Sequence, residues 1–493
     1  MAVPRRTADG AGDRARLFTS LSEEVTAVPL AVEGRLPAWL EGTLVRNGPA
    51  LFELARQRLR HWFDGQAMLH AFALGGAQVR YTNRFVRGRA YQANVSAGRL
   101  RYAEFATDPC HALFARVKAV FGGGAAVTDN ASIAVARLGE AYVALTEGAL
   151  PMRFDPATLE TLGVAARRCD TGGGQLTTAH PHVLADGSHV NFGVRFGRRC
   201  RSGVVMTDPH ARRRRVVAEW DAAEPAYVHS FGLTARHAVV AECPYVVDPL
   251  GMLLSGRPFA ENFRWRPERG TRFHLIDLAG RRPRVTCEAP PFFAFHHVNA
   301  YDDGDAVVVD LVAYEDAAVV DALYLDRLRD EWSAIPPARV TRWRLPVRGG
   351  TARHEGTWDA LLELPRVAPD RDGRPYRHVY GVGASSADAF LDQLVKLDVE
   401  TGEARTWRRP RTYAGEPVFV AAPDARAEDD GVLLSVVLDA ARGASALVVL
   451  DARTMEEVAR AEAPHAIPAG FHGEFFADAP PLAESPRASR RAG

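Results

Sequence analysis

The chain has 493 residues, 47% of them hydrophobic, with 61 basic and 60 acidic side chains and a formal charge of +1. That composition can fill a large globular core and excludes both a disordered chain and a small cross-linked scaffold. The even charge balance removes the concentrated basic surface that a nucleic-acid binder needs, so no nucleic-acid partner is expected.

From the N-terminus, MAVPRRTADGAGDRARLF is charged but lacks the apolar centre of a secretory leader. No uninterrupted apolar run of 18 residues follows anywhere. A cytoplasmic location is expected, with contact to a membrane surface left open. One domain over residues 20–478 is expected, with 1–19 and 479–493 as flexible termini. Cys110, Cys169, Cys200, Cys243 and Cys287 have no paired spacing, which argues against a disulfide framework and a thiolate zinc site.

ALFARVKAVF, Ala112 to Phe121, has apolar residues at helical spacing with Arg116 and Lys118 among them. It is predicted to be a helix able to lie on a membrane. Ala131 to Glu147 then reads as strand, Leu-Gly-Glu turn, strand. FDPATLETLG, from Phe154, introduces a pattern that recurs as LDVETGEARTW from Leu397 and LDARTMEEVA from Leu450. Each is an apolar strand end, an Asp-containing turn with Thr and Glu, and a second strand. Ala211 to Val217, ARRRRVV, reads as a solvated strand or loop. Val298 to Tyr314 is a hairpin around Asp302–Asp305, Asp321 to Trp332 a second helix, and Asp429 to Ala463 three successive strands. Short strands divided by Gly, Asp and Pro turns are an all-β signature. Recurring hairpins at this length predict about seven radial four-stranded units, a β-propeller with short helical and loop insertions capping the active-site face.

No HExxH, Walker loop or GxSxG elbow is present among the motifs. Four of the 16 histidines stand in distinctive strand-like text: His180 in TTAHPHVLADG, His229 in YVHSFGLTARH, His296 in FFAFHHVNAY and His472 in AGFHGEFF. Taken singly, each could be an ordinary core or loop histidine. Separations of 49, 67 and 176 residues exclude one local metal loop and suit contributions from different blades meeting at an axis. Imidazole ligands suit iron, zinc and copper alike. Ligating histidines need acceptors for their remaining ring N–H, and carboxylates are the strong choice. Glu147 in ALTEGAL, Glu363 in LLELPRV and Glu416 in AGEPVFV are carboxylates set in apolar strand text, which is costly unless they are paired.

The order of motifs resembles the carotenoid cleavage oxygenase family, which also contains the vertebrate retinoid isomerase. The matching text includes GTLVRNGPALFE (Gly42 to Glu53), HWFDGQAMLHAF (His61 to Phe72), YTNRFVR (Tyr81 to Arg87), EFATDPC (Glu104 to Cys110) and VTDNASI (Val127 to Ile133). PYRHVYGVG (Pro375 to Gly383), Glu416 to Ala440 and the terminal FHGEFF continue it. The resemblance implies a seven-bladed propeller with axial iron(II) held by His180, His229, His296 and His472. It also implies that Glu147, Glu363 and Glu416 act behind those ligands. His182 and His297 are then not ligands. His297 faces away from His296 in an extended strand, whereas the exclusion of His182 rests on the family alone.

The implied reaction is cleavage of a conjugated double bond in a carotenoid or apocarotenoid, with dioxygen as co-substrate and aldehyde products. A hydrophobic polyene calls for an apolar tunnel, for which Trp62, Phe63, Phe114, Phe292, Phe293 and Phe295 are candidates. Stilbene-cleaving relatives carry a lysine where this sequence has Thr146, which weighs against that alternative. Retinoid isomerisation and a non-catalytic binding platform are the remaining ones.

Overall fold

The computed structural model describes residues 12–107, 128–165, 176–209, 213–330, 334–386 and 389–483. Seven antiparallel sheets follow one another along the chain and form the blades of a propeller. In most blades the first strand in sequence lies innermost, and these first strands touch those of neighbouring blades.

The ring is sewn shut twice. Blade 1 takes four strands from the N-terminal region, Gly42–Leu51, Gln66–Gly75, Gln78–Phe85 and the short outer Val28–Leu30, and its inner strand from Gly473–Phe476 near the other end. Blade 7 is built from residues 412–462 and receives Val32–Gly34 as its outer strand. Central strands are packed on both faces by adjoining blades, so they read as nearly continuous apolar runs rather than alternating ones. In Ala306–Tyr314 every residue except Ala313 is buried. The one charge in that strand, Asp310, is held by Arg342 at 2.7–2.9 Å and by the Tyr376 hydroxyl.

The three recurring hairpins share one geometry. Asp155, Asp398 and Asp451 each accept the backbone N–H groups two and three residues on at 2.8–3.1 Å. Thr158, Thr401 and Thr454 each accept the N–H two residues further. The residue after each threonine adopts a left-handed conformation: Leu159, Gly402 and Met455.

The helix predicted over 321–332 is instead two short ones, Ala318–Ala322 and Leu325–Arg329. Tyr324 between them is extended and bridges to His61, so tertiary pairing overrides the helical spacing. Arg89–Ala97 and Pro249–Ser255 are further helices. Just ahead of residue 20, Leu17 and Phe18 are buried, with Phe18 against Trp62. The predicted membrane helix Ala112–Phe121 lies outside the described residues. Among the described residues no helix is long and apolar enough to cross a membrane. Cys200, Cys243 and Cys287 are unpaired and buried.

Candidate metal centre

Each histidine reaches the axis where its strand departs from a regular ladder. In blade 3 the inner strand is interrupted between Leu176–Thr177 and His182–Val183. Asn191 fills the gap, accepting from the Thr178 hydroxyl at 2.6 Å and donating to the Thr178 carbonyl at 3.0 Å. His180 lies within that interruption. His229 stands just ahead of Gly232–Leu233, the first strand of blade 4. His296 sits where Phe293–Asp303 slips register against its neighbour, and such bulges re-aim side chains. His472 donates its N–H to the Ile133 carbonyl at 3.0 Å and accepts from the Asn47 N–H at 2.9 Å. The glycine after it is explained by crowding: a Cβ on Gly473 would lie 2.5 Å from Arg46 Cδ.

The four sequence-predicted histidines come together, each offering a ring nitrogen within 4.8 Å of the others. Nε2 of His180 and His229 are 3.1 Å apart, and Nε2 of His296 and His472 are 3.2 Å apart. The three predicted glutamates stand behind them. His229 Nδ1 donates to Glu147 at 2.6 Å, His296 Nδ1 to Glu363 at 2.6 Å, and His472 Nδ1 to Glu416 at 2.7 Å. A carboxylate only accepts, so these bonds fix the proton on Nδ1 and leave the Nε2 lone pair facing inward. His296 and His472 therefore point lone pair at lone pair, an arrangement that a shared cation relieves. Their spacing is that of neighbouring nitrogens around one ion with bonds of about 2.1 Å. Burial, reinforced by the other imidazoles, pushes His180 and His472 well below the usual histidine range, which keeps their nitrogens available to a metal. The donor set fits a divalent transition metal.

Sequence reading missed the groups that hold the glutamates. The Tyr227 hydroxyl donates to Glu147 at 2.6 Å and the Tyr314 hydroxyl to Glu363 at 2.8 Å. Arg46 donates to Glu416 at 2.7 Å and to the Phe471 carbonyl at 2.8 Å, entirely within the interior. Burial opposes ionisation of Glu363, but His296, the Leu364 N–H and Tyr314 outweigh it and lower its pKa. Leu364 itself is left-handed at φ 49°, a strained residue beside the centre.

The two neighbouring histidines are engaged elsewhere. His182 contacts Asp372 at 3.1 Å and the Phe231 carbonyl at 2.9 Å, and His297 contacts Ser230 at 3.0 Å.

Two cavities meet at Phe63 and Ile133, which line both. The first is walled by His229, His296 and His472 and by apolar groups including Trp62, Phe295 and Phe390. The second reaches Glu147 and Thr146 and is the roomier, about 310 Å³ against about 120 Å³. Of the predicted tunnel residues, Trp62, Phe63 and Phe295 line this space. Phe293 is fully buried core, and Phe292 stacks on Trp343 away from it. Phe114 lies outside the described residues.

Seven blades with four converging histidines define a class of propeller with a cluster that could hold a metal ion. The family profile described as retinal pigment epithelial membrane protein matches residues 18–477, and the chain belongs to that carotenoid oxygenase family. Among relatives, it is 35% identical to the carotenoid isomerooxygenase of Galleria mellonella, over 93% of this chain and 95% of that one. It is also 35% identical to carotenoid cleavage dioxygenase 8 homolog A, chloroplastic, of Oryza sativa subsp. japonica, over 94% and 89%. A solved mutant of the Synechocystis apocarotenoid oxygenase superposes with a TM-score of 0.83 at 27% identity, covering 96% of this chain and all of that one.

Proposed function

We propose that this protein is a non-haem iron(II) oxygenase that cleaves a conjugated double bond of a carotenoid or apocarotenoid, giving two carbonyl products. The observation that carries the reading is the set of four converging histidines, three of which wall a largely apolar cavity that adjoins a second one at Phe63 and Ile133. His180, His229, His296 and His472 would hold the iron. Ferrous iron supplies the redox chemistry with dioxygen that a closed-shell ion such as zinc lacks.

The chain's own residues do the rest. Glu147, Glu363 and Glu416 keep the Nδ1 protons of His229, His296 and His472 in place, so these three ligands each present one nitrogen in one orientation. Phe63, Ile133 and Phe295 form the walls beside the histidines, where they exclude water and hold one alkene of a long polyene near the centre. Both atoms of dioxygen end in product, one on each new carbonyl carbon.

Peripheral membrane contact belongs to the same reading, since a polyene must leave lipid to reach the site. Leu250 and Leu254, one turn apart on Pro249–Ser255, are 64% and 62% exposed, and Met252 of that helix lines the second cavity. An apolar ridge beside a cavity suits docking on a bilayer.

Iron-loaded protein incubated aerobically with β-carotene, apocarotenals, retinyl esters and hydroxystilbenes tests the reaction, with products separated by chromatography and mass. Paired carbonyl fragments from a polyene are expected. Geometric isomers without oxygen uptake would assign isomerase chemistry, and cleavage of hydroxystilbenes alone would overturn the substrate class.

A further inference from the structure

The second cavity has one carboxyl besides Glu147, and the four-histidine centre does not use it. Glu104, just ahead of Phe105 on its wall, is only 7% exposed. Its Oε1 accepts from the Thr128 hydroxyl at 2.8 Å. Thr128 Oγ1 in turn accepts the Asn130 N–H at 3.1 Å, so the threonine's proton is committed to Glu104. Among the described residues no lysine or arginine pairs with this carboxyl.

Its acidic neighbours are served differently. Asp64 accepts the N–H groups of His61 and Ala106 and the Thr107 hydroxyl at 2.6–2.9 Å. Asp129 accepts the N–H groups of Arg89 and Ala90 at 2.8 Å. Burial, with Asp64 and Asp129 adding to it against the Thr128 and Asn130 hydrogen bonds, holds the Glu104 carboxyl well above the usual range. A neutral carboxyl has an O–H to donate. Of the other polar groups on this wall, Tyr227 is engaged on Glu147, Thr177 on the Gly148 carbonyl, and the Asn130 amide on Gly65 and Ala67, while Ser132 and Thr146 add hydroxyls but no carboxyl.

We propose that Glu104 binds the oxygen of a hydroxyl- or carbonyl-bearing ring at the end of a polyene, with that ring in the second cavity. The proposal rests on the polyene-cleaving reading above and narrows its substrate class to carotenoids or apocarotenoids with an oxygenated ring. The second cavity is the roomier of the two, which suits a ring-bearing end. With that end anchored and the chain passing between Phe63 and Ile133, the bond presented to the histidines is fixed by its count from the oxygen. A bare hydrocarbon ring has no such stop.

The test uses two apocarotenals of equal length, one with a ring hydroxyl and one without. Their dissociation constants are measured anaerobically by quenching of tryptophan fluorescence on iron-loaded protein, and KM and kcat are then measured in air. Wild type should bind the hydroxylated compound about tenfold more tightly, the scale of one hydrogen bond to a buried partner. Glu104→Leu should abolish that preference with iron content retained, while Glu104→Gln, whose amide also donates, should keep most of it. No preference in wild type, or the same preference in Glu104→Leu, overturns the proposal. Tighter binding of the hydroxylated compound without cleavage of either would sustain this subsite and overturn the oxygenase reading instead. The wild-type comparison decides the matter even if the leucine variant fails to fold.

Discussion

Glu147 takes its histidine and its tyrosine on one oxygen, whereas Glu363 and Glu416 divide their partners between two. Glu416 alone of the three also faces a buried guanidinium, that of Arg46. Two carboxylates without a guanidinium partner thus remain to offset a divalent ion. Replacing Glu363 with Gln should weaken iron retention about 10–100-fold, read by competition with a chelator. His296→Ala should lose most of the iron and His297→Ala should keep it; the reverse order would refute the ligand assignment. The seven clustered residues, four histidines and three glutamates, were legible as candidates in the sequence because their chemistry is conspicuous there: carboxylates in apolar strands, and histidines in distinctive text with family resemblance. Tyr227, Tyr314 and Arg46 were not, because buried tyrosines and one arginine look like ordinary sequence until blades distant along the chain bring their partners to them.

At the scale of elements, the Asp–Thr turns were readable because the turn chemistry is local and repeats three times. Gly402 occupies the left-handed position of its turn at φ 78°. Gly402→Ala should cost about 1–2 kcal/mol in urea unfolding, since a Cβ is strained against its own backbone at this φ, while its nearest neighbour, Trp358 Cδ1 at 3.7 Å, leaves room for it. The helices were less legible. The segment 321–332 has helical spacing, but Tyr324 is drawn into a bridge with His61 that no local pattern announces. Pro249–Ser255 did carry a signal, Asp248 and Pro249 at its start and Gly256 at its end, within a run too short to stand out. Changing Leu250 and Leu254 together to Asp should reduce co-flotation with lipid vesicles. Undiminished flotation would remove this helix from any membrane contact.

For the molecule as a whole, stability should depend on pH through histidines buried away from the four-histidine cluster. Burial lowers His70 from 6.5 to about 3, with its Nδ1 against the Tyr81 hydroxyl at 2.7 Å. Its folded pKa lies below the unfolded one, so its neutral form contributes fully above about pH 6.5, and that contribution declines as pH falls toward 3. Urea unfolding should show His70→Gln costing about 2 kcal/mol less at pH 5 than at pH 7.5, relative to wild type. A cost independent of pH would place the imidazole in contact with solvent. The twofold seam of the ring also sets an order of events during synthesis. Blade 1 has its outer strands almost from the start, yet the strand that covers the edge of Gly42–Leu51 is made nearly the whole chain later, one residue after His472. Until then the growing polypeptide exposes an unpaired strand edge and has only three of its four histidines. Pairing across so long a loop is slow, and an open edge invites association with other chains. Yield of soluble protein should therefore be limited by this last fastening, with metal capture as the step that follows it.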